Sequence, residues 1–358
     1  MASAGSIRWR REEFGWITLD YSSSKLLLLR KEKKDILEED LSAPVAITWE
    51  VTYKCNLFCR YCLNEDKGQE LSTDEAKRFI EELSSLKVFQ INIGGGEPFL
   101  RGDILELLSL IGEKGMVPCV STNGTLLNKD LVKELSSIKP LFLQISLDGA
   151  TEETNNILRG GDFKKIMDSL KLLQKVKARF FINTVITRKN IEEIPKLYEL
   201  AKSVGAELRI SRMRPSGNAK KTWKDLNPLP LQWDFLKNWL KKHPDVLTGD
   251  SLFFMDIGGI KGCGAGRLTF CISPSGEVYP CAFLQEVYLG NVKEESLFSI
   301  WRKAKEFARK EIIREKCRGC KFYDSCHGGC PAFSLFYKGS LRCEDVDACN
   351  FYKSCNLS

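Results

Sequence analysis

Three cysteines crowded into eight residues, Cys55-Asn-Leu-Phe-Cys59-Arg-Tyr-Cys62, constrain this chain more than any other feature. They follow directly on a β-rich run, residues 45–51, so one loop at a strand end must gather three thiols. Thiolates grouped this closely are metal ligands, and three of them hold three irons of a [4Fe–4S] cube. With no fourth cysteine nearby, the fourth iron is left open. An electron-transfer cube normally takes four thiolates, and a structural zinc site also wants a fourth ligand.

Fourteen cysteines are present in all: these three, Cys119 alone, and ten beyond residue 260. Residues 1–11 are polar and basic with no apolar core of a secretory signal. The longest apolar run, residues 26–29, is far short of the roughly 20 residues a membrane helix needs. A cytoplasmic location is expected, and in a reducing compartment this many cysteines point to metal rather than disulfides. The charge of +7 comes from 54 basic and 47 acidic residues, interspersed rather than blocked, so it reads as a solvated surface and not a nucleic-acid footprint. Two histidines, His243 and His327, leave little for imidazole acid–base chemistry.

From residue 44 to 214, β-rich runs (45–51, 88–93, 117–121, 141–147, 180–186, 207–211) alternate with segments of helical period (73–86, 103–114, 129–137, 163–176, 191–204). Such alternation predicts parallel strands with right-handed crossovers. Six strands are too few for a closed eight-stranded barrel, so the expected fold is α/β: a partial (β/α)6 barrel with ligands at the carboxyl ends of its strands. Residues 215–262 read as a linker with one helix near 233–242, and 263–358 as a small cysteine-rich domain. Residues 1–43 read as an N-terminal extension: a hairpin (14–20 and 26–30 about a Ser22–Ser24 turn), then a short charged helix.

The strand ends carry a series of motifs. Gly94-Gly95-Gly96-Glu97-Pro98 follows strand two, Ser121-Thr122-Asn123-Gly124 strand three and Ser146-Leu147-Asp148-Gly149 strand four; Arg159 lies in Leu-Arg-Gly-Gly. With the C-x3-C-x2-C loop and its Tyr61, this series resembles the radical S-adenosylmethionine (SAM) superfamily. The resemblance implies a [4Fe–4S] cluster on Cys55, Cys59 and Cys62, whose open iron chelates SAM. Contacts to SAM are implied for Gly95, Gly96, Glu97, Ser121, Asn123, Ser146, Asp148 and Arg159, with Glu97 accepting from its ammonium; for the last five, turn and cap roles stay open.

Near the C-terminus the chain reads Cys317-x2-Cys320-x5-Cys326-x3-Cys330, preceded by Cys263 and Gly276-x4-Cys281. These spacings are similar to the SPASM extension of radical SAM peptide maturases, which implies two auxiliary [4Fe–4S] clusters. Cys263, Cys281 and Cys330 fall to the first, with Cys271 as a fourth ligand or an open site. Cys317, Cys320, Cys326 and Cys349 fall to the second, with Cys343 as the alternative to Cys349. Cys119 and Cys355 read as spare thiols.

Further stretches, among them Trp49–Tyr53, Gln144–Ala150, Arg212–Gly217 and Cys263–Arg267, resemble the mycofactocin-type radical SAM maturases. That resemblance implies oxidative decarboxylation of the C-terminal tyrosine of a small precursor peptide and carbon–carbon crosslinking to the preceding valine. It also implies a separate peptide-binding chaperone and a reductant such as ferredoxin or flavodoxin. Tetrapyrrole propionate decarboxylation, peptide thioether crosslinking and a non-catalytic electron-transfer or redox-sensing protein are the alternatives. Catalytic acids and bases are not assigned; Arg188, Arg212 and Arg214 are placed to meet a carboxylate. The N-terminal hairpin looks like the opening of the peptide-binding chaperones; it either offers an edge strand to a leader peptide or caps the barrel.

Overall fold

The computed structural model describes residues 7–20, 25–30, 36–63, 68–249, 252, 262–312 and 317–354. The Ser22–Ser24 turn, most of the expected N-terminal helix and Cys355 lie outside them.

An antiparallel sheet comes first, β1 (Ile7–Glu12), β2 (Gly15–Asp20) and β3 (Lys25–Arg30), in that order. The expected hairpin is β2–β3, and β1 adds a third strand. Next come β4 (Ala46–Glu50), α1 (Thr73–Ser85), β5 (Gln90–Gly94), α2 (Ile104–Glu113), β6 (Val117–Thr122), α3 (Lys129–Ser137), β7 (Phe142–Ser146), α4 (Glu152–Arg159), α5 (Phe163–Lys175), β8 (Phe180–Ile186), α6 (Ile194–Ser203) and β9 (Glu207–Arg212). Helices α7 (Asn218–Leu226) and α8 (Pro230–Leu240) lead to β10 (Leu247–Thr248). The C-terminal part holds β11 (Cys271–Ile272), β12 (Glu277–Tyr279), β13 (Gly290–Asn291), α9 (Leu297–Glu311), α10 (Tyr323–Cys326), α11 (Pro331–Lys338) and α12 (Val346–Ser354).

One ten-stranded sheet runs in the order β10-β9-β8-β7-β6-β5-β4-β11-β12-β13. Strands β4 to β10 are parallel, as expected, but the sheet reaches beyond six strands at both edges. Strand β10 adds to β9, and β11 pairs parallel with β4, Cys271 opposite Thr48 and Ile272 opposite Trp49. The cysteine-rich part therefore continues the barrel sheet.

Period-two alternation sets the two faces of the wall. Ile47, Trp49, Ile91, Ile93, Val120, Leu143, Ile145, Ile182, Leu208 and Ile210 are buried beneath the helices. Thr48, Asn92, Ser121, Gln144, Asn183 and Arg209 alternate with them and face the lumen. Each helix answers with an apolar stripe, Ala76, Phe79, Ile80 and Leu83 in α1 for example. Ser72 starts α1 with a capping box, accepting from the Glu75 N–H while Glu75 accepts from its own, a contribution of about 1 kcal/mol.

The N-terminal sheet packs under the amino ends of the barrel strands. Buried Arg10 donates to the carbonyls of Ala43 (2.6 Å), Pro44 (2.9 Å) and Lys87 (3.2 Å), and Arg8 to that of Gly115 (2.7 Å). Glu12 accepts from Arg10 Nε at 2.6 Å and from the Ser42 N–H at 2.9 Å. Leu19 closes the lumen from below.

Candidate active site

A cavity of about 650 Å³ occupies the lumen and opens at the carboxyl ends of the strands. Cys55, Cys59 and Cys62 line it, together with Gly94–Gly96, Ser121, Asn123, Ser146 and Arg159. Five segments far apart in sequence thus meet around one space.

The cysteine loop is fixed by backbone contacts. The Gly96 N–H donates to Thr52 O (2.8 Å) and the Glu97 N–H to Lys54 O (2.7 Å). A Cβ on Gly96 would stand 2.0 Å from Lys54 O, so only glycine lets the two segments approach this closely. A Cβ on Gly94 would meet nothing within 4 Å, because that position looks into the cavity. From the other side, the Arg60 N–H donates to Leu158 O (2.9 Å) and the Asn218 N–H to Cys62 O (2.8 Å).

Glu97 and Asp148 sit behind the wall rather than in it. Glu97 is fully buried and accepts from Thr122 Oγ1 (2.7 Å), the Asn123 N–H (2.8 Å) and the Phe99 N–H (3.3 Å). Burial raises its pKa, and those donors hold it back. Its carboxylate therefore ties the glycine turn to the end of β6. Asp148 accepts from the Val185 N–H (2.7 Å), from Arg159 Nη1 (2.7 Å) and from the Tyr61 hydroxyl. Arg159 also donates to Tyr61 at 3.1 Å, and its buried Nε has no hydrogen-bond partner among the described residues. Burial opposes the Arg159 charge, but Cys59, Tyr61 and Asp148 outweigh it and raise the pKa well above normal. Burial pushes the Cys59 thiol up to about 11, against the pull of Arg159.

Below the cysteines the lumen is polar. Arg209 donates to Gln144 Oε1 (2.7 Å), Gln144 to Ser121 Oγ (2.9 Å) and Ser211 to Asn183 Oδ1 (2.9 Å). A closed barrel of this type fills its interior with branched apolar side chains; here polar ones leave it hollow. Apart from Ser121, these residues were given no role by the motif reading, although the polar members of the strands are visible in the sequence. Cys119, read as a spare thiol, is on this wall, and burial moves its pKa up to about 11.

Of the three arginines singled out from sequence, Arg188 donates to Asn227 O at 3.0 Å and does not line the cavity. Arg212 meets carboxylates of its own chain: Asp345 at 2.8 Å and Asp347 at 2.7 Å. Arg214 lies over the Phe283 ring, 3.0 Å from its centroid. Both Arg212 and Arg214 line the cavity.

The C-terminal cysteines fall into two neighbourhoods. Burial pushes Cys281 up to about 12, and it feels the nearby charges of Cys263 and Cys330. Buried Cys271 feels Glu50 and Cys281. Burial likewise raises Cys326 to about 12, and its cysteine neighbours are Cys349 and Cys317. Cys320 is exposed. Among the described residues no three His, Cys, Asp or Glu groups are placed to hold a single metal ion.

These donor sets suit iron–sulfur cubes: three cysteines on one cavity with a glycine cradle beside them, and two further groups of thiols, Cys326 and Cys330 among them buried. The radical SAM superfamily model matches residues 49–201, and the SPASM iron–sulfur cluster-binding domain matches residues 263–330. Mycofactocin maturase MftC of Mycobacterium tuberculosis is 40% identical over 321 residues, which is 84% of this chain and 81% of that protein. This chain belongs to the radical SAM/SPASM maturase family. The chain is also similar to the AdoMet-dependent heme synthase of Methanosarcina barkeri, 32% identical over 325 residues, which is 81% of this chain and 92% of that protein. The fold matches that of Streptococcus suis SuiB bound to precursor peptide SuiA, with a TM-score of 0.77 and 17% identity, covering 97% of this chain and 99% of that one. As a radical SAM/SPASM protein the chain is an enzyme, with [4Fe–4S] clusters and SAM as its cofactors. No helix among the described residues is long and apolar enough to cross a membrane.

Proposed function

We propose that the enzyme matures a small ribosomally made peptide, decarboxylating a C-terminal tyrosine oxidatively and then joining it to the preceding valine through a carbon–carbon bond. The 40% identity to a mycofactocin maturase across both the barrel and the cysteine-rich part carries this reading. Cys55, Cys59 and Cys62 would hold the catalytic cluster. Gly95, Gly96, Ser121, Asn123, Ser146 and Arg159 would face SAM directly, while Glu97 and Asp148 would act through the groups they hold. Cys263, Cys281 and Cys330 would form one auxiliary site, and Cys317, Cys320, Cys326 and Cys349 the other. The proximity of Cys326 to Cys349 favours Cys349 over Cys343.

Bound in this cavity, the cluster and SAM supply an electron and a primary carbon radical able to take hydrogen from an unactivated C–H bond. The chain supplies the rest. Its hollow lumen holds the reacting carbon near SAM and keeps water away. Arg209, Gln144 and Asn183 give a carboxylate-bearing substrate polar partners. The substrate would lose a hydrogen atom from Cβ to that radical, carbon dioxide from the carboxylate and one electron to an auxiliary cluster, leaving a Cα=Cβ double bond. The leader segment would be presented by a separate chaperone, and a ferredoxin or flavodoxin would supply electrons.

Anaerobic turnover of a peptide ending in Val-Tyr, followed by mass spectrometry, tests the reading. A loss of about 46 mass units (carbon dioxide with two hydrogens) is expected in the first stage. Formation of 5′-deoxyadenosine with no change in such peptides would overturn it. Turnover of a tetrapyrrole propionate instead would support the second reading, which rests on the heme synthase relative.

A further inference from the structure

We infer that Arg214 is a positioning residue for the auxiliary site of Cys263, Cys281 and Cys330: its guanidinium lines the substrate cavity, stacks on Phe283 beside that site and makes the site easier to reduce. This rests on the ligand assignment proposed above.

Residues 212–218 form a bridge between the two iron–sulfur regions. At one end, the Asn218 N–H donates to Cys62 O (2.8 Å). Gly217, at φ +51°, lies so close to the same carbonyl that a Cβ would stand 2.5 Å from it. At the other end, Arg212 is clamped by Asp345 and Asp347, and Asp345 also accepts the Cys330 N–H at 3.1 Å. Tyr337 donates to Asp347 at 3.1 Å and receives the Trp223 indole N–H at 2.8 Å, so α7, α11 and α12 all brace this end. The two carboxylates answer the Arg212 charge on the spot.

Arg214 stands in the middle of the bridge. It stacks on Phe283, two residues beyond Cys281, and both Cys281 and Cys330 feel its positive charge. Stacking on the ring helps to fix the guanidinium. When the substrate gives up its electron, an iron–sulfur acceptor gains one unit of negative charge. A cation whose field reaches its thiolates stabilises that reduced form, and the burial of Cys330 limits screening by water.

The test is an EPR-monitored redox titration of the anaerobically reconstituted full chain, comparing wild type with Arg214→Met, Arg214→Lys and Cys330→Ala. Cys330→Ala identifies the signal of this site by abolishing it. In Arg214→Met that signal should need a potential at least 59 mV lower, a tenfold change in the one-electron equilibrium, with the other two signals unmoved. Arg214→Lys should keep most of the wild-type value. An unmoved midpoint in Arg214→Met, with iron content intact, would overturn the role of Arg214 alone. Retention of all signals and of ~12 irons in Cys330→Ala would overturn the ligand assignment and the inference with it.

Discussion

Strands β4–β9 are five to seven residues long and shelter a continuous apolar layer under α1–α6, whereas β11–β13 are two or three residues long and lean on β4. The barrel wall buries large side chains such as Trp49, Phe180, Ile47, Ile80 and Ile91, each contributing roughly 1.5–3 kcal/mol. Beyond residue 317 the described elements are three helices of four to nine residues, braced by buried polar contacts centred on Asp345. The barrel has the means to fold without metal. In the C-terminal part burial keeps the thiols of Cys281 and Cys326 from ionising, and in the proposed clusters metal would take the proton's place.

Removing iron should break this comparison open most widely. Amide hydrogen exchange across residues 263–354 is expected to quicken by orders of magnitude in the metal-free protein, while β5–β9 keep their protection. Equal protection in both regions would mean that packing alone holds the C-terminal part. Next in size is Asp345→Ala, which takes away one of the two carboxylates on buried Arg212 and the acceptor of the Cys330 N–H. A loss of about 3–5 kcal/mol is expected from denaturant unfolding of the loaded protein, and Asp345→Asn should lose less. A change below about 1 kcal/mol would show that the pair adds little. The smallest effect concerns Cys59, whose thiol is raised to about 11. In metal-free protein it is protonated at neutral pH, so iodoacetamide labelling should climb about tenfold per pH unit from pH 7 to that value. Labelling that levels off above about pH 9 would mean an ordinary, solvated thiol.

The barrel strands were legible as short β-rich runs set between segments of helical period; residues 180–186 were read with the bounds the structure gives β8. Strand β1 was missed for a physical reason. Its sequence, Ile-Arg-Trp-Arg-Arg-Glu, turns Arg8, Arg10 and Glu12 toward the barrel, so the buried face is charged and the apolar pattern is absent. Helix α4 was passed over too, although Thr151 caps it; its exposed turns are polar, and its last residue, Arg159, was singled out without the helix that aims it. Strands β10 and β11 are two residues long and exist only because β9 and β4 are there to pair with. In the site, the cysteine and glycine motifs were readable from spacing. The retreat of Glu97 and Asp148 behind the wall was not, since it depends on which side of a strand end each carboxylate turns.

The pairing of β4 with β11 has a consequence for how the chain is made. Strand β4 leaves the ribosome more than 200 residues before Cys271 and Ile272 reach it. Through that interval its outer edge has no neighbour, and bare strand edges invite the wrong partner. The strand feeding the cysteine loop is thus the last in the barrel to be completed.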